Sequence, residues 1–148
     1  MKKLFVSLAV VLLLGACSAK EAADVSDPAA VYSVIAEAAE IGDMFALTSE
    51  DLLYMIGIEP QWYTASAAYM ASEGTSPEEI LIFRAADQAS ADLILETLQN
   101  RLQYKQDSAA QYLTENQGIL KNGIVRADGL TVSLIVTKDM ESVLSIYP

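Results

Sequence analysis

Histidine is absent from this chain of 148 residues, and cysteine occurs once, at Cys17. Without histidine there is no imidazole base to activate a serine or cysteine nucleophile, and nearly all zinc sites are excluded. A single cysteine excludes a disulfide within the chain, so the fold must depend on its hydrophobic core. We therefore expect no metal and no cofactor, and the sequence leans away from an enzyme without deciding the question.

Basic residues and glycine motifs are also scarce. The 9 basic residues face 20 acidic ones and are scattered, whereas nucleic-acid binding by counterion release needs a basic stripe. The 7 glycines are isolated and form no phosphate-binding loop. The acids do not have the alternate spacing of a calcium loop. We expect no nucleic-acid partner.

One long apolar run is present, over residues 4–14, after two lysines and before the sequence LGAC that ends at Cys17. A charged start, a run too short to span a bilayer as a mature helix, and small residues at its end are typical of a secretory leader. The segment resembles a bacterial lipobox, which is cut before a cysteine that carries a lipid. We expect residues 1–16 to be a lipoprotein signal peptide and Cys17 to be the lipidation site. Two alternatives are a plain secretory signal cut after Ala16 and a buried thiol.

The rest of the chain divides into a tether and one domain. Residues 17–26 are small or charged and show no pattern that would bury a face, which indicates a flexible tether. Residues 27–148 have the length of a single globular domain. Removal of the two leader lysines leaves 7 basic against 20 acidic side chains, a net charge of about −13. Because anionic lipid repels such a domain, the lipid would hold it to the extracytoplasmic face of a bacterial cell membrane.

Capping signals predict two helices at the start of the domain. Asp27 and Pro28 are typical of an N-cap and a first helical position, and the apolar pattern that follows ends near Glu40. Thr48 begins a shorter helix that Gly57 ends.

Two hairpins separated by a long helix are predicted for the remainder. Strands are expected over residues 61–72, 78–85, 123–126 and 130–137, and helices over residues 87–106 and 140–146. On the last strand, Val132 and Leu134 would face the core and leave Ile135 and Thr137 on the other side. The expected fold is α+β: a two-layer, mostly antiparallel sheet of about four strands covered by helices.

Three features of the chain together resemble the pattern of a known family. They are a short helix followed by Gly-Ile, an acid that opens an apolar strand, and an arginine late in the long helix. These features lie in residues 56–60, 79–85, 98–104 and 124–129. The family is an uncharacterised one of bacterial lipoproteins, domain of unknown function 4358, and the resemblance covers essentially the whole mature domain. The chain departs from the family's usual form at the alanine-rich residues 65–70. The resemblance implies anchoring outside the cytoplasm in Gram-positive anaerobes and offers no catalytic residues.

Arg101 is the candidate binding residue. It borders the apolar stripe of the long helix, where an arginine must pair with an acid or extend its charged end to water. One interpretation is an anchor for an anion or a carboxylate, in a groove flanked by Tyr104, Trp62 and Tyr63, with Tyr112 at its rim. The other is a structural ion pair with one of the many acids, which is the commoner fate of such an arginine. Tyr104 and Tyr112 would then lie at the amphipathic edge of the core.

Glu78 and Glu79 are the most obvious pair of acids for hydrolytic chemistry. A glycosidase needs two carboxyl groups about 5 to 10 Å apart on one site. Neighbours in a strand point to opposite faces, so these two are not expected to act as a pair.

Three hypotheses of function follow. The preferred one is a non-catalytic lipoprotein whose domain binds an envelope protein, a peptide or a small ligand through its sheet face. The second is an accessory that captures or senses a small ligand near Arg101. The third is a carboxylate-based cell-wall hydrolase. The sequence leaves the oligomeric state open.

Overall fold

The computed structural model of the protein describes residues 26–112 and 116–147. The predicted signal peptide, the lipidation site Cys17 and almost all of the tether lie outside the described residues, so these remain predictions.

Five strands and five α-helices make up the described chain, with two short irregular turns of helix. In order they are α1 (Pro28–Ala38), β1 (Met44–Ala46), α2 (Ser49–Asp51), a π-helical turn (Leu52–Ile56), a 3₁₀ turn (Pro60–Trp62), β2 (Tyr63–Ala71), β3 (Glu79–Ala85), α3 (Gln88–Tyr112), α4 (Gln117–Lys121), β4 (Ile124–Asp128), β5 (Thr131–Val136) and α5 (Met140–Ile146).

The strands form one antiparallel sheet with the order β1-β2-β3-β5-β4. Both predicted hairpins, β2–β3 and β4–β5, are present, and β3 and β5 pair with each other at the centre. The α+β class is therefore confirmed. The sheet has five strands where about four were expected, because the edge strand β1 has only three residues and is too short to show an alternating pattern.

Helices cover both faces of the sheet. On one face, α3 and α4 pack over Leu81, Phe83 and Leu134. On the other, α1 and α5 pack over Ile80 and Ile135. The sheet is thus the middle of three layers, where two were expected.

The extra layer explains the burial of β5. Val132 and Leu134 lie in the core as predicted, but every residue of β5 is buried, together with Thr137 beyond it. The small polar side chains of the second face find partners there: the Ser133 hydroxyl lies 3.4 Å from the Tyr147 hydroxyl, and the Thr137 hydroxyl donates to Glu78. The sequence did not predict burial of both faces, because polar residues at alternate positions are typical of a strand with one exposed face.

The helix caps follow the sequence closely. Asp27 accepts from the Ala29 N–H at 3.0 Å, and Thr48 and Asp51 form a capping box. Gly57 ends the second helix with φ of 87°, a left-handed conformation that suits glycine. Asp87 accepts from the Ser90 N–H at 2.8 Å at the start of α3.

Within the described ranges, no helix combines the length and the apolarity needed to cross a membrane.

Candidate functional site

A buried carboxylate with two basic partners lies where the start of β3 meets the middle of α3. The Glu79 side chain has no solvent exposure, and its Oε2 accepts from Arg101 Nη2 at 2.7 Å. Arg101 Nε is 3.0 and 3.1 Å from the two Glu79 oxygens, and Lys105 Nζ is 3.1 Å from Oε2. The Arg101 guanidinium therefore donates to Glu79 from two nitrogens, and the Lys105 ammonium binds the same carboxylate. We call these three residues the Glu79 cluster.

The periodicity of α3 places both basic side chains toward the sheet. Ala91, Ile94 and Leu98 form the buried stripe of the first half of the helix. Arg101 and Lys105 continue the same stripe at three and then four residues further on. The stripe thus changes from apolar to basic at the level where β3 begins with an acid instead of an aliphatic residue.

Each basic side chain also binds backbone outside the cluster. Arg101 Nη1 donates to the Met55 carbonyl at 3.3 Å and Lys105 Nζ to the Pro77 carbonyl at 2.9 Å. Burial lowers the pKa of Lys105, and the neighbouring Arg101 charge adds to that effect while Glu79 opposes it. The cluster therefore ties the turn after α2 and the β2–β3 turn to α3.

The Glu79 cluster borders an open cleft of about 330 Å³. The β2–β3 turn, over residues 74–77, forms one wall, and α3 forms the other with Arg101, Tyr104 and Lys105. Asn116 and Leu120 close the end. We call this space the Arg101 cleft.

The sequence-predicted aromatic residues fall in different places. Tyr104 lines the Arg101 cleft and is 73% exposed. Trp62 and Tyr63 lie at the opposite end of β2, since Tyr63 pairs with Ala85 whereas Met70 pairs with Glu79. Seven residues of strand separate these ends, about 23 Å at 3.3 Å per residue. The structure therefore brings Tyr104 to Arg101 and places the other two against the core.

Tyr112 is the last residue of α3, eleven residues beyond Arg101. About three helical turns, or 16 Å of helix axis, separate the two positions. Its backbone is described, but its side chain lies outside the described part of the structure.

Glu78 occupies the other face of the sheet, as the alternation of the strand predicted. Its Oε1 accepts from the Thr137 hydroxyl and the Lys138 N–H, both at 3.0 Å, and its Oε2 accepts from the Ser76 hydroxyl at 3.1 Å. Burial alone would raise the pKa of Glu78, but these hydrogen bonds and the Lys138 charge outweigh it and lower the pKa. Glu78 and Glu79 therefore belong to separate sites.

A second cavity of about 330 Å³ adjoins Glu78 and is lined by Asp43, Glu73 and Lys138 as well. Glycoside hydrolysis needs one carboxyl group that keeps its proton near neutral pH. Glu78 is the buried acid of the three, and its lowered pKa makes it a poor proton donor. Over residues 26–112 and 116–147, no group of three or more acids or thiols has an arrangement that suits a metal ion.

Two members of the Glu79 cluster were not predicted as site residues. Glu79 entered the prediction only as the acid that opens the apolar strand and as a possible partner for Glu78, and Lys105 only as one of the scattered basic residues. The usable signal was the spacing of four residues between Arg101 and Lys105, which puts two basic side chains on one helix face. Asn116, whose amide donates to the Thr75 carbonyl at 2.8 Å, carries no local signal because its role depends on a contact 41 residues away.

The structure defines an α+β domain with a buried, ion-paired cluster that opens on a cleft. The chain belongs to the family described as a domain of unknown function, DUF4358, which matches residues 37–137. That segment contains Glu79, Arg101 and Lys105. Comparison with curated proteins and with solved structures gives no significant match.

Proposed function

We propose that the protein is a lipid-anchored, non-catalytic binding module on the extracytoplasmic face of a bacterial membrane, and that the Arg101 cleft is its binding site. The observation that carries the binding role is the Glu79 cluster at the wall of a cleft. Arg101 and Lys105 are 18% and 20% exposed at their side chains, and both line that cleft. A small ligand in the cleft has two charged donors within reach.

The size of the cleft and its rim also support a small ligand. A volume of about 330 Å³ lies at the lower end of the range for ligand sites. Tyr104 presents a largely exposed ring at the rim, and the buried residues Leu120 and Ala109 are among those that line the inside. An aromatic rim, apolar walls and a few fixed polar groups are the usual composition of a ligand pocket.

The cleft accounts for binding better than the sheet face does. Helices cover both faces of β3 and β5, so the centre of the sheet offers no open surface for a partner. The hydrolase hypothesis finds less support as well, because Glu78 and Glu79 lie on opposite faces and the acids of the second cavity include no identified proton donor.

The membrane address is supported by the sequence alone. The two lysines, the apolar residues 4–14 and the small residues before Cys17 fit a lipoprotein leader. The domain's negative charge makes direct adhesion to anionic lipid unfavourable, so anchoring would depend on Cys17.

A thermal-unfolding screen of the full chain in a non-ionic detergent tests the binding role. A panel of small acids, amines, sugars and amino acids is added, and a ligand present at 100 times its Kd should stabilise the fold by about 2.7 kcal/mol. Tyr104→Ala should reduce that shift. The matched control is Tyr54→Ala, because Tyr54 is 78% exposed and does not line the cleft. A panel without any stabilising compound, or a shift that both variants reduce equally, contradicts the proposal.

Fractionation of cells tests the anchor. Cys17→Ser should move the processed protein from the membrane to the soluble fraction, and cleavage of the leader is followed by mass. A cleaved Cys17→Ser protein that stays in the membrane fraction contradicts lipid anchoring.

A further inference from the structure

The Glu79 cluster carries one more positive than negative charge. Arg101 and Lys105 bind the single carboxylate of Glu79, and among the described residues neither makes a salt bridge to another acid. This local positive surplus contrasts with the chain's net charge of −11. Glu79 is fully buried, whereas Arg101 and Lys105 line the cleft, so a third group in the cleft would meet the cluster through these two residues.

Both basic groups keep donors for such a group. Arg101 carries five N–H bonds and Lys105 three. Lys105 uses one for the Pro77 carbonyl and one for Glu79. Arg101 uses Nε and one N–H of Nη2 for Glu79, the other N–H of Nη2 for the Met70 sulfur at 3.8 Å, and one N–H of Nη1 for the Met55 carbonyl at 3.3 Å. Among the hydrogen bonds of the described residues, this leaves one N–H on Lys105 and one on Arg101 Nη1.

We propose that the Arg101 cleft binds the carboxylate of a small monocarboxylic acid, with Lys105 supplying the decisive charge. This inference rests on the proposed function and names the ligand class. One ligand carboxylate balances the surplus charge of the cluster. A phosphate dianion would leave an excess negative charge beside buried Glu79, and the guanidinium face suited to bidentate phosphate binding already holds Glu79.

The rest of the ligand would contact the apolar part of the cleft. Leu120, Ala109 and the Met70 side chain line it beside the basic pair, and the Tyr104 ring stands at the rim. An apolar or aromatic side chain on the acid therefore fits better than a second charged group, which would lack a partner there.

Saturation-transfer NMR on the full chain in phosphatidylcholine nanodiscs tests the ligand class. The probes are phenylacetate, N-acetylalanine and N-acetylphenylalanine, each compared with its neutral amide, and inorganic phosphate. We expect the best acid to bind at least tenfold more tightly than its amide. Lys105→Met should abolish that preference, while Tyr104→Ala should weaken acid and amide together. Lys121→Met, an exposed change outside the cleft, should leave the preference intact.

The outcomes separate this inference from the proposed function. Equal binding of acids and amides, both weakened by Tyr104→Ala, overturns the carboxylate and leaves the cleft as the site. Tighter binding of phosphate than of every acid also overturns it. If no acid binds with a Kd below about 10 mM, an affinity at the weak end of specific binding, the inference fails. The thermal screen then decides separately whether the cleft binds any ligand. If the Lys105→Met variant still prefers acids to amides, Lys105 does not supply the decisive charge and the inference is wrong.

Discussion

Glu78 and Glu79 are neighbours in the chain, yet their carboxylates lie on opposite faces of the sheet and are held by different means. Glu79 is bound by the charged side chains of Arg101 and Lys105, whereas Glu78 is bound mainly by hydroxyl and backbone donors. The first carboxylate therefore depends on ion pairing across the α3 face. The second depends on hydrogen bonds at the end of β5.

Replacement of Glu79 should be strongly destabilising. Glu79→Gln leaves Arg101 and Lys105 largely buried without their counter-charge, and we expect a loss of about 3 kcal/mol in the free energy of unfolding. Urea denaturation measures it. Glu96→Gln, an exposed change on α3, should alter stability by no more than about 0.5 kcal/mol. Equal effects of the two changes would show that ion pairing in the Glu79 cluster contributes nothing to stability.

Replacement of the whole Glu79 cluster by apolar residues should cost less stability than removal of the Glu79 charge alone. Glu79→Leu, Arg101→Met and Lys105→Met together remove three desolvated charges and fill a similar volume. We expect this triple variant to be more stable than Glu79→Gln and close to the wild type, and urea denaturation of the three proteins provides the comparison. The three charges would then be unnecessary for folding, which is the behaviour expected of groups whose role is binding. A triple variant less stable than Glu79→Gln would make the charges structural.

Titration of Lys105 should make the free energy of unfolding depend on pH in the alkaline range. Burial lowers its folded pKa below the ordinary value of 10.5. The unfolded chain therefore holds the proton more tightly, and the penalty of the charged form is present below the folded pKa. Stability of the wild type relative to Lys105→Met should rise as pH increases from the folded pKa toward 10.5. Urea midpoints at pH 7 and pH 10 measure the change. A relative stability that falls over this interval would mean that the folded pKa is raised.

Local periodicity explains why most of the fold was predictable. The stripe of Ala91, Ile94 and Leu98 predicted α3, and alternation with turn residues predicted both hairpins. These signals involve residues a few positions apart. By contrast, β1 and α4 have three and five residues and carry too few positions for a period.

The candidate site was predictable only in part, because its partners are distant in the chain. Arg101 was recognisable as a misplaced charge on an apolar stripe. Its partner Glu79 lies 22 residues earlier, and the pairing depends on how α3 crosses β3, which no local pattern specifies. Packing also decides the position of Trp62, which lies at the far end of the sheet although an aromatic side chain would suit a ligand groove.

Glu78 should contribute stability that acid removes. Its folded pKa is lower than the ordinary value of 4.5, so the stabilisation is complete above that value and is lost as pH falls through the folded pKa. At pH 7, Glu78→Gln should cost about 2 kcal/mol, the range for hydrogen bonds to a charged group. Urea denaturation at pH 7 and at pH 3 should show this gap narrowing in acid. A gap that widens in acid would contradict the lowered pKa.

Gly123 and Gly118 provide a matched pair for the packing of α4 against the sheet. A Cβ at Gly123 would lie 2.9 Å from Val136 Cγ2 and 3.2 Å from the Leu120 carbonyl oxygen, which is backbone. Gly123→Ala should therefore destabilise the fold by about 1 to 3 kcal/mol. At Gly118, within α4, a Cβ meets no atom within 4 Å, and alanine should add about 0.5 to 1 kcal/mol through its higher helix propensity. Urea denaturation of the two variants should give shifts of opposite sign. If Gly123→Ala is neutral, α4 moves away from β5 without cost, and the end of the Arg101 cleft is less rigid than the contacts indicate.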